Sequence, residues 1–223
     1  MLAESRGSQP QGPLVMVTDD ELSIREALCD LLESVGLRAL PFGSASEMLA
    51  SPQLKAANCL VLDIRLPGMS GLELQQQLAR AGVDVPVIFM TGHGDISMSV
   101  KAMKAGAVDF LTKPFRDQDM LDAVLSAVDR DRDRRQTAER AAGLQARFAQ
   151  LTVREREVMM LVTQGLMNKQ IAGRLGLSEV TIKIHRRQAM NKMGVQTLPD
   201  LVRCAAALGL HAAGTDRHRQ AVQ

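Results

Sequence analysis

An apolar run that ends on a single aspartate is the feature that most constrains how this chain can fold. Residues 59–62 read Cys-Leu-Val-Leu, Asp63 follows them directly, and a turn rich in Pro and Gly occupies residues 67–71. A short apolar run bounded by turn residues is typical of a buried strand. Because open α/β sheets place ligands beyond the carboxyl ends of their strands, we expect Asp63 to lie at a functional edge.

Four other apolar runs alternate with amphipathic segments in the first half of the chain. They predict strands at residues 14–17, 38–42, 86–90 and 107–111, with the Asp63 strand third in order. Helical spacing predicts helices at about 24–35, 44–54, 71–82 and 95–105, and a long one from about 116. This alternation predicts an α/β fold with a doubly wound, parallel, five-stranded sheet.

The second half of the chain has only helical patterns. Thr152 and Glu155 fit a capping box for a helix that reaches Gln164. Helices follow at 168–175, at 179–193 with Ser178 as its cap, and at about 198–208. Two short helices joined by a tight turn with a glycine fit helix-turn-helix geometry, so we predict a small all-α domain.

These patterns predict five regions along the chain. They are a disordered N-terminus at 1–13, the α/β domain at 14–128, a charged helical linker at 129–148, the helix-turn-helix domain at 149–211 and a flexible tail at 212–223. The linker interleaves Asp and Arg, and such charge runs are usually solvated.

Net charge differs in sign between the two halves. Residues 1–130 carry 11 Lys and Arg against 17 Asp and Glu, a net charge of −6, whereas residues 131–223 carry 16 against 8, a net charge of +8. The basic half is expected to meet a polyanion. Trp and Tyr are absent, which disfavours binding of single strands by base stacking. Without an apolar stretch of about 20 residues or a signal peptide, a cytoplasmic protein with no membrane partner is expected.

Side chains suited to phosphoryl chemistry follow four of the predicted strands. Converging carboxylates repel one another, and a hard dication such as Mg²⁺ relieves that repulsion. Asp63 is the candidate nucleophile, which would form an acyl phosphate. The candidate metal site has Asp20, Asp63 and the main-chain carbonyl of Arg65 as ligands, with Asp19 acting through water. Lys113 would neutralise a developing oxygen charge. In isolation, however, Asp19 and Asp20 could simply cap a helix, and Lys113 could be an ordinary surface residue.

Taken in this order, four motifs resemble a response-regulator receiver domain, nearest to the FixJ branch of the NarL/FixJ family. They are residues 18–20, 62–71, 90–95 and 110–115. The resemblance implies that Thr91 bonds the phosphoryl group and that Phe110 swings inward behind it as a conformational reporter. Thr18 stands where the family usually has an aliphatic residue or an acid.

The predicted helix at 179–193 has two unlike faces. At 100° per residue, Ile182, His185, Ala189 and Met193 share one face, and the opposite face carries Val180, Lys183, Ile184, Arg187 and Asn191. Cations suit guanine edges and phosphates, and an exposed Ile suits a thymine methyl. The inner position of His185 indicates a structural role. The alternative for the outer face is an ordinary solvated surface.

Residues 168–172 and 178–185 resemble the LuxR-type helix-turn-helix of the same family. The resemblance implies that Lys183, Ile184 and Arg187 reach base edges or phosphates. It also implies contacts with the DNA backbone from Thr181, Arg186, Asn168 and Lys169.

The whole resemblance implies a phosphorylation-dependent transcriptional regulator. A sensor histidine kinase would phosphorylate Asp63, and the receivers would then form a homodimer through the fourth helix, fifth strand and fifth helix. The dimer would bind a palindrome-like site in double-stranded DNA, with RNA polymerase as a further candidate partner. Enzymatic activity would be limited to self-phosphotransfer and slow autodephosphorylation. The alternatives are a phosphate-independent DNA-binding regulator and an α/β enzyme acting on a phosphorylated small molecule.

Overall fold

The computed structural model describes residues 12–92 and 96–210, with the main chain alone at 96 and 97. The predicted disorder of residues 1–11, the predicted flexible tail and the predicted helix start at Asp95 lie outside these residues. The chain divides into two compact units, with the division after Arg135. Within the described residues, no helix combines the length and the apolar character needed to cross a membrane.

The first unit contains the predicted parallel sheet. Its strands lie in the order β2-β1-β3-β4-β5 and comprise β1 (Leu14–Thr18), β2 (Arg38–Phe42), β3 (Cys59–Asp63), β4 (Val87–Thr91) and β5 (Asp109–Thr112). Asp63 pairs with Met90, and Thr91 pairs with Thr112. The carboxyl ends of β3, β4 and β5 therefore meet at one edge, as the sequence predicted.

Helices follow the strands, and two predicted boundaries were wrong. The helices are α1 (Leu22–Ser34), α2 (Ala45–Leu49), α3 (Gly71–Arg80), α4 (Ile96–Lys104) and α5 (Asp117–Ala149). The second helix stops well before residue 54, because Pro52 cannot continue it, and a 3₁₀ turn takes over at Leu54–Ala56. The fifth strand starts at Asp109 because Ala107 still donates its N–H to the Ala102 carbonyl of α4, at 3.1 Å.

Two apolar cores sandwich the sheet. Every residue of β1, β3 and β4 is buried, as expected for parallel strands covered on both faces. Alternate side chains of these strands pack towards α2, α3 and α4 on one face and towards α1 and α5 on the other. The burial explains why the Asp63 strand reads as an unbroken apolar run.

The second unit consists of helices around a core of its own. After the end of α5 come α6 (Val153–Thr163), α7 (Asn168–Leu175), α8 (Glu179–Met193) and α9 (Leu198–Ala207). The predicted capping box is confirmed: Thr152 Oγ1 accepts from Glu155 N at 3.3 Å, and Glu155 Oε2 accepts from Thr152 N at 2.7 Å. Gly176 ends α7 with a φ of 66°, a left-handed conformation that favours glycine. The α7–Gly176–α8 segment is the predicted helix-turn-helix.

The predicted linker lies within α5, and its first residues belong to the first unit. Asp131 is fully buried there. Its Oδ2 accepts from Asn58 Nδ2 at 2.8 Å and from Arg135 Nε at 2.5 Å, and its Oδ1 accepts from Arg134 Nη2 at 2.6 Å. Asn58 Oδ1 in turn accepts from Leu14 N at 2.8 Å, so the cluster ties α5 to the starts of β1 and β3. The expectation of a solvated charge run is wrong at Asp131, because half-buried partners satisfy both oxygens of its buried carboxylate.

Candidate functional site

Lys113 joins the acidic residues at the carboxyl edge of the sheet. Its ammonium lies 2.5 Å from Asp19 Oδ2, just after β1, and 2.8 Å from Asp63 Oδ2, at the end of β3. The Lys113 N–H also donates to the Thr91 carbonyl at the end of β4, at 2.7 Å. The structure thus brings together four of the residues that the sequence placed at separate strand ends.

The three predicted carboxylates form one compact group. Asp19, Asp20 and Asp63 each offer an oxygen within 4.8 Å of the others. Asp19 and Asp63 are buried, whereas Asp20 is exposed. The second oxygens of the buried pair accept main-chain hydrogen bonds, from Glu21 N to Asp19 and from Arg65 N to Asp63, each at 3.0 Å. Such a set of carboxylate oxygens, open to solvent on one side, suits Mg²⁺, which prefers a few carboxylates and retains water.

Lys113 carries a positive charge in this site. Burial is the largest single influence on its pKa and lowers it, but the hydrogen bonds to Asp19 and Asp63 and the charges of both carboxylates together outweigh burial. The net effect raises the pKa of Lys113 above its ordinary value. The ammonium therefore compensates part of the carboxylate charge at neutral pH.

Two supporting residues escaped the sequence reasoning. Arg25 Nη1 donates to the Asp19 carbonyl at 2.6 Å and so holds the main chain beside the carboxylates. Gly71 permits the close approach of α3 to β3, because a Cβ there would lie 2.6 Å from the Asp63 carbonyl oxygen. The sequence signal was present for Gly71, which closes the turn after Asp63, but it indicated only a helix start.

Thr91 and Phe110 occupy the two positions that the resemblance marks as switch residues. Thr91 is buried at the end of β4, next to the strand that carries Asp63. Phe110 is half-buried on β5 and packs against the core on the side of α3 and α4. The two residues therefore lie on adjacent strands.

The faces of α8 agree with the predicted helical wheel. Ile182, Ala189 and Met193 are fully buried in the core of the second unit, and His185 is half-buried. Every residue of the predicted outer strip is exposed, namely Val180, Lys183, Ile184, Arg187 and Asn191. A cleft of about 470 Å³ beside this strip is lined by Lys183, Arg187, Asn191, Arg186 and Asn168 among others, so it is strongly cationic.

The remaining predicted DNA contacts lie around the ends of α7 and α8. The hydroxyls of Thr181 and Ser178 are hydrogen-bonded at 2.8 Å, in the N-terminal cap of α8. Arg186 Nη1 donates to Asn168 Oδ1 at 3.5 Å, which links α8 to the start of α7. Lys169, on the first turn of α7, is exposed.

An ion pair between a buried carboxylate and a half-buried lysine, which the sequence reasoning missed, fixes the far end of α8. Lys192 Nζ donates to Glu155 Oε2 at 2.7 Å, and Glu155 is buried. Burial is the largest single influence on the pKa of Glu155 and raises it, but the hydrogen bonds from Lys192 and Thr152 together lower the pKa below its ordinary value. One carboxylate thus caps α6 and anchors α8.

Known proteins share both units of this chain. Residues 15–125 match the response regulator receiver domain, and residues 149–205 match the luxR family of bacterial regulatory proteins. Nodulation protein W of Bradyrhizobium diazoefficiens is 52% identical over 204 residues, covering 92% of this chain and 90% of that protein. The transcriptional regulatory protein FixJ of Azorhizobium caulinodans is 41% identical, covering 90% and 95%. The solved structure of the response regulator StyR matches with a TM-score of 0.81 and 47% identity, covering 87% and 98%.

A receiver followed by a LuxR-type domain defines the class of response regulators that control transcription. This chain belongs to the NarL/FixJ-type response regulators. It is a DNA-binding regulator of a two-component system and not a classical enzyme, so the alternative of an α/β enzyme is set aside. The receiver implies a histidine kinase as partner, and the LuxR-type domain implies DNA.

Proposed function

We propose that Asp63 accepts a phosphoryl group from a sensor histidine kinase. A carboxylate oxygen of Asp63 attacks the phosphorus of a phosphohistidine and the P–N bond breaks. The leaving imidazole nitrogen keeps the electron pair of that bond and takes up a proton from solvent. The observation that carries this proposal is the position of Asp63 at the end of the central strand, 2.8 Å from the Lys113 ammonium and beside two more carboxylates. Phosphoryl transfer depends mainly on such positioning and charge compensation.

Asp20, Asp63 and the Arg65 carbonyl would hold Mg²⁺, with Asp19 acting through water. The close group of carboxylate oxygens supports this assignment. When bound, the ion would offset the negative charge of the phosphoryl oxygens. Lys113 offsets the charge of the same oxygens from its position between Asp19 and Asp63.

Thr91 and Phe110 relay the phosphorylated state. The Thr91 hydroxyl donates to the phosphoryl group, and Phe110 turns inward into the space that Thr91 leaves. The surface of α4, β5 and α5 is rearranged as a result, and two receivers pair through it. Half-exposed apolar side chains on α4 and α5 support this surface, namely Val100, Met103 and Leu125.

Helix α8 reads DNA in the major groove. Lys183, Ile184 and Arg187 contact base edges or phosphates, and their common exposure beside a cationic cleft supports this role. Thr181, Arg186, Asn168 and Lys169 contact the DNA backbone. In a dimer, the two α8 helices would lie about 34 Å apart on a palindrome-like duplex. RNA polymerase is a further partner. The domain limits assigned to this activity are 14–135 for the receiver, extended from the predicted 128 because Asp131 and Arg135 are bonded within its unit, and 149–211 for the DNA-binding domain.

Phosphorylation with a small phosphodonor tests the acceptor. The full chain is incubated with Mg²⁺ and acetyl phosphate, and its intact mass and DNA affinity are measured. The wild type should gain one phosphoryl group and bind its DNA site more tightly, whereas Asp63→Asn should gain neither. Asp30→Asn, on the exposed side of α1, is the matched control and should behave as wild type.

Two results would contradict the proposal. Full labelling of Asp63→Asn would place the acceptor elsewhere. Equal DNA affinity of the labelled and unlabelled wild type would favour a phosphate-independent regulator.

A further inference from the structure

Two bulky aliphatic side chains project to solvent from the cationic strip of α8. Val180 is 66% exposed and Ile184 is 51% exposed. Residues four apart on a helix are neighbours, with Cβ atoms about 5–6 Å apart, so these two form one small apolar patch. Exposed Lys183 and Arg187 border the patch. An apolar patch within a cationic strip suits a partner that carries both phosphates and apolar groups.

The first turn of α8 offers Val180 rather than a polar side chain to the base edges. The Thr181 hydroxyl is bonded to Ser178 Oγ at 2.8 Å within the helix cap. Glu179 lies about 100° around the helix from Val180 and about 40° beyond Lys183, at the margin of the strip that is farther from Ile184. Because the N-terminal residues of a recognition helix contact base edges, Val180 occupies a reading position.

We propose that Val180 is a specificity-determining residue, which packs on the methyl group of a thymine one or two base pairs from the thymine that Ile184 contacts. This inference rests on the proposed role of α8 in reading DNA. The thymine methyl is the apolar group that base edges present in the major groove. The spacing of the two side chains, compared with about 3.4 Å per base step, sets the separation of the thymines. A cytosine in the same place would leave its amino group facing an aliphatic side chain without an acceptor.

Removal of single methyl groups from the DNA tests the proposed contact between Val180 and a thymine methyl group. Binding sites are first selected from randomised duplexes with the full chain in Mg²⁺ and acetyl phosphate. Each thymine of the selected half-site is then replaced by deoxyuridine, which removes the methyl and keeps the hydrogen-bonding edge. Affinity for each duplex is measured with the wild type, with Val180→Ala and with Val153→Ala. Val153 is the matched control, because it is 71% exposed and lies on α6.

When the thymine that Val180 contacts is replaced by deoxyuridine, the affinity of the wild type and of Val153→Ala should fall about fourfold. This factor corresponds to the free energy of burying one methyl group. Val180→Ala should bind the thymine and deoxyuridine duplexes equally at that position. It should still lose affinity at the second thymine, which Ile184 contacts. Thermal unfolding should be the same for all three proteins, since both substituted side chains are exposed.

Three results would overturn the assignment of Val180. They are a selected half-site without two thymines at this separation, undiminished methyl sensitivity at every thymine in Val180→Ala, or equal losses in Val180→Ala and Val153→Ala. A selection that returns no sequence preference at all would instead contradict DNA reading by this chain, and the role of Val180 with it.

Discussion

Asp63 and Asp131 are both buried, but the neighbouring sequence predicts the position of only one of them. Asp63 ends an apolar run and precedes a Pro- and Gly-rich turn, so its place at a strand end could be predicted. Asp131 sits in a run of alternating charges, and its partner Asn58 is 73 residues away. Local pattern carries no information about such a partner, which is why a solvated position was predicted for it.

The predicted DNA contacts show a similar division. The exposed positions of Lys183, Ile184 and Arg187 followed from helical periodicity alone. The hydrogen bond between Arg186 and Asn168 could not be predicted from periodicity, because it joins two helices across a turn. The same holds for Arg25, which reaches the Asp19 carbonyl from α1.

Removal of either cation from the outer strip should weaken binding to the specific DNA site. Lys183→Ala and Arg187→Ala should each cost about 1–3 kcal/mol of binding free energy, because a contact to a base edge or phosphate is lost. Titrations at several salt concentrations measure both the affinity and its salt dependence. Arg154→Ala on α6, where Arg154 pairs with Glu157, is the control and should bind as wild type. Unchanged affinity in both strip variants would contradict the assignment.

At the scale of elements, the ends of α8 are fixed by groups outside its reading face. Ser178 caps its start, and Gly194 ends it with a φ of 69°. Glu155 of α6 holds Lys192 in its last turn, and Arg147 of α5 donates to the Met193 carbonyl at 3.3 Å. The caps could be predicted from Ser and Gly signals, whereas the two inter-helix contacts could not, because they depend on how the helices pack.

Acidification should destabilise the DNA-binding unit through Glu155. Since the pKa of Glu155 is lowered in the folded state, its carboxylate stabilises the fold above the ordinary glutamate pKa. That contribution is lost as the pH falls through the lowered pKa. Thermal unfolding followed between about pH 6 and about pH 3 measures the loss. In Glu155→Gln, the loss of stability between neutral and acid pH should be smaller than in the wild type. Stability near neutral pH should fall by about 1–3 kcal/mol because Lys192 loses its charged partner.

Glu157→Gln separates this effect from general acid unfolding. Glu157 lies on the same helix, and its partner Arg154 is largely exposed, so its loss should change stability by less than about 1 kcal/mol. If Glu155→Gln and Glu157→Gln showed the same pH dependence as wild type, the Glu155–Lys192 pair would not be the source of acid sensitivity.

At the scale of the whole molecule, phosphorylation is expected to change the association state. The proposed surface comprises α4, β5 and α5, and Leu125 on α5 is among its exposed apolar side chains. Labelled wild type should double its mass in light scattering. Leu125→Asp should take up the label and remain a monomer, because a desolvated carboxylate in the interface would weaken association by tenfold or more.

Leu22→Asp provides the control for this test. Leu22 is also exposed but lies at the start of α1, which is not part of the proposed surface. It should dimerise as wild type when labelled. Dimers of equal strength in Leu125→Asp would show that the receivers pair elsewhere.

The hydrogen-bonded cluster around buried Asp131 determines where a fragment that contains the receiver alone can end. A receiver fragment ending at the last apolar residue of the α/β pattern, Val128, would lack the carboxylate that accepts from Asn58 and from Arg135. Asn58 would lose the partner of its amide while still holding the first residue of β1. A recombinant receiver that keeps the hydrogen bonds between α5 and the starts of β1 and β3 therefore has to extend through Arg135. Fusions of this receiver to other output domains should be joined after that residue.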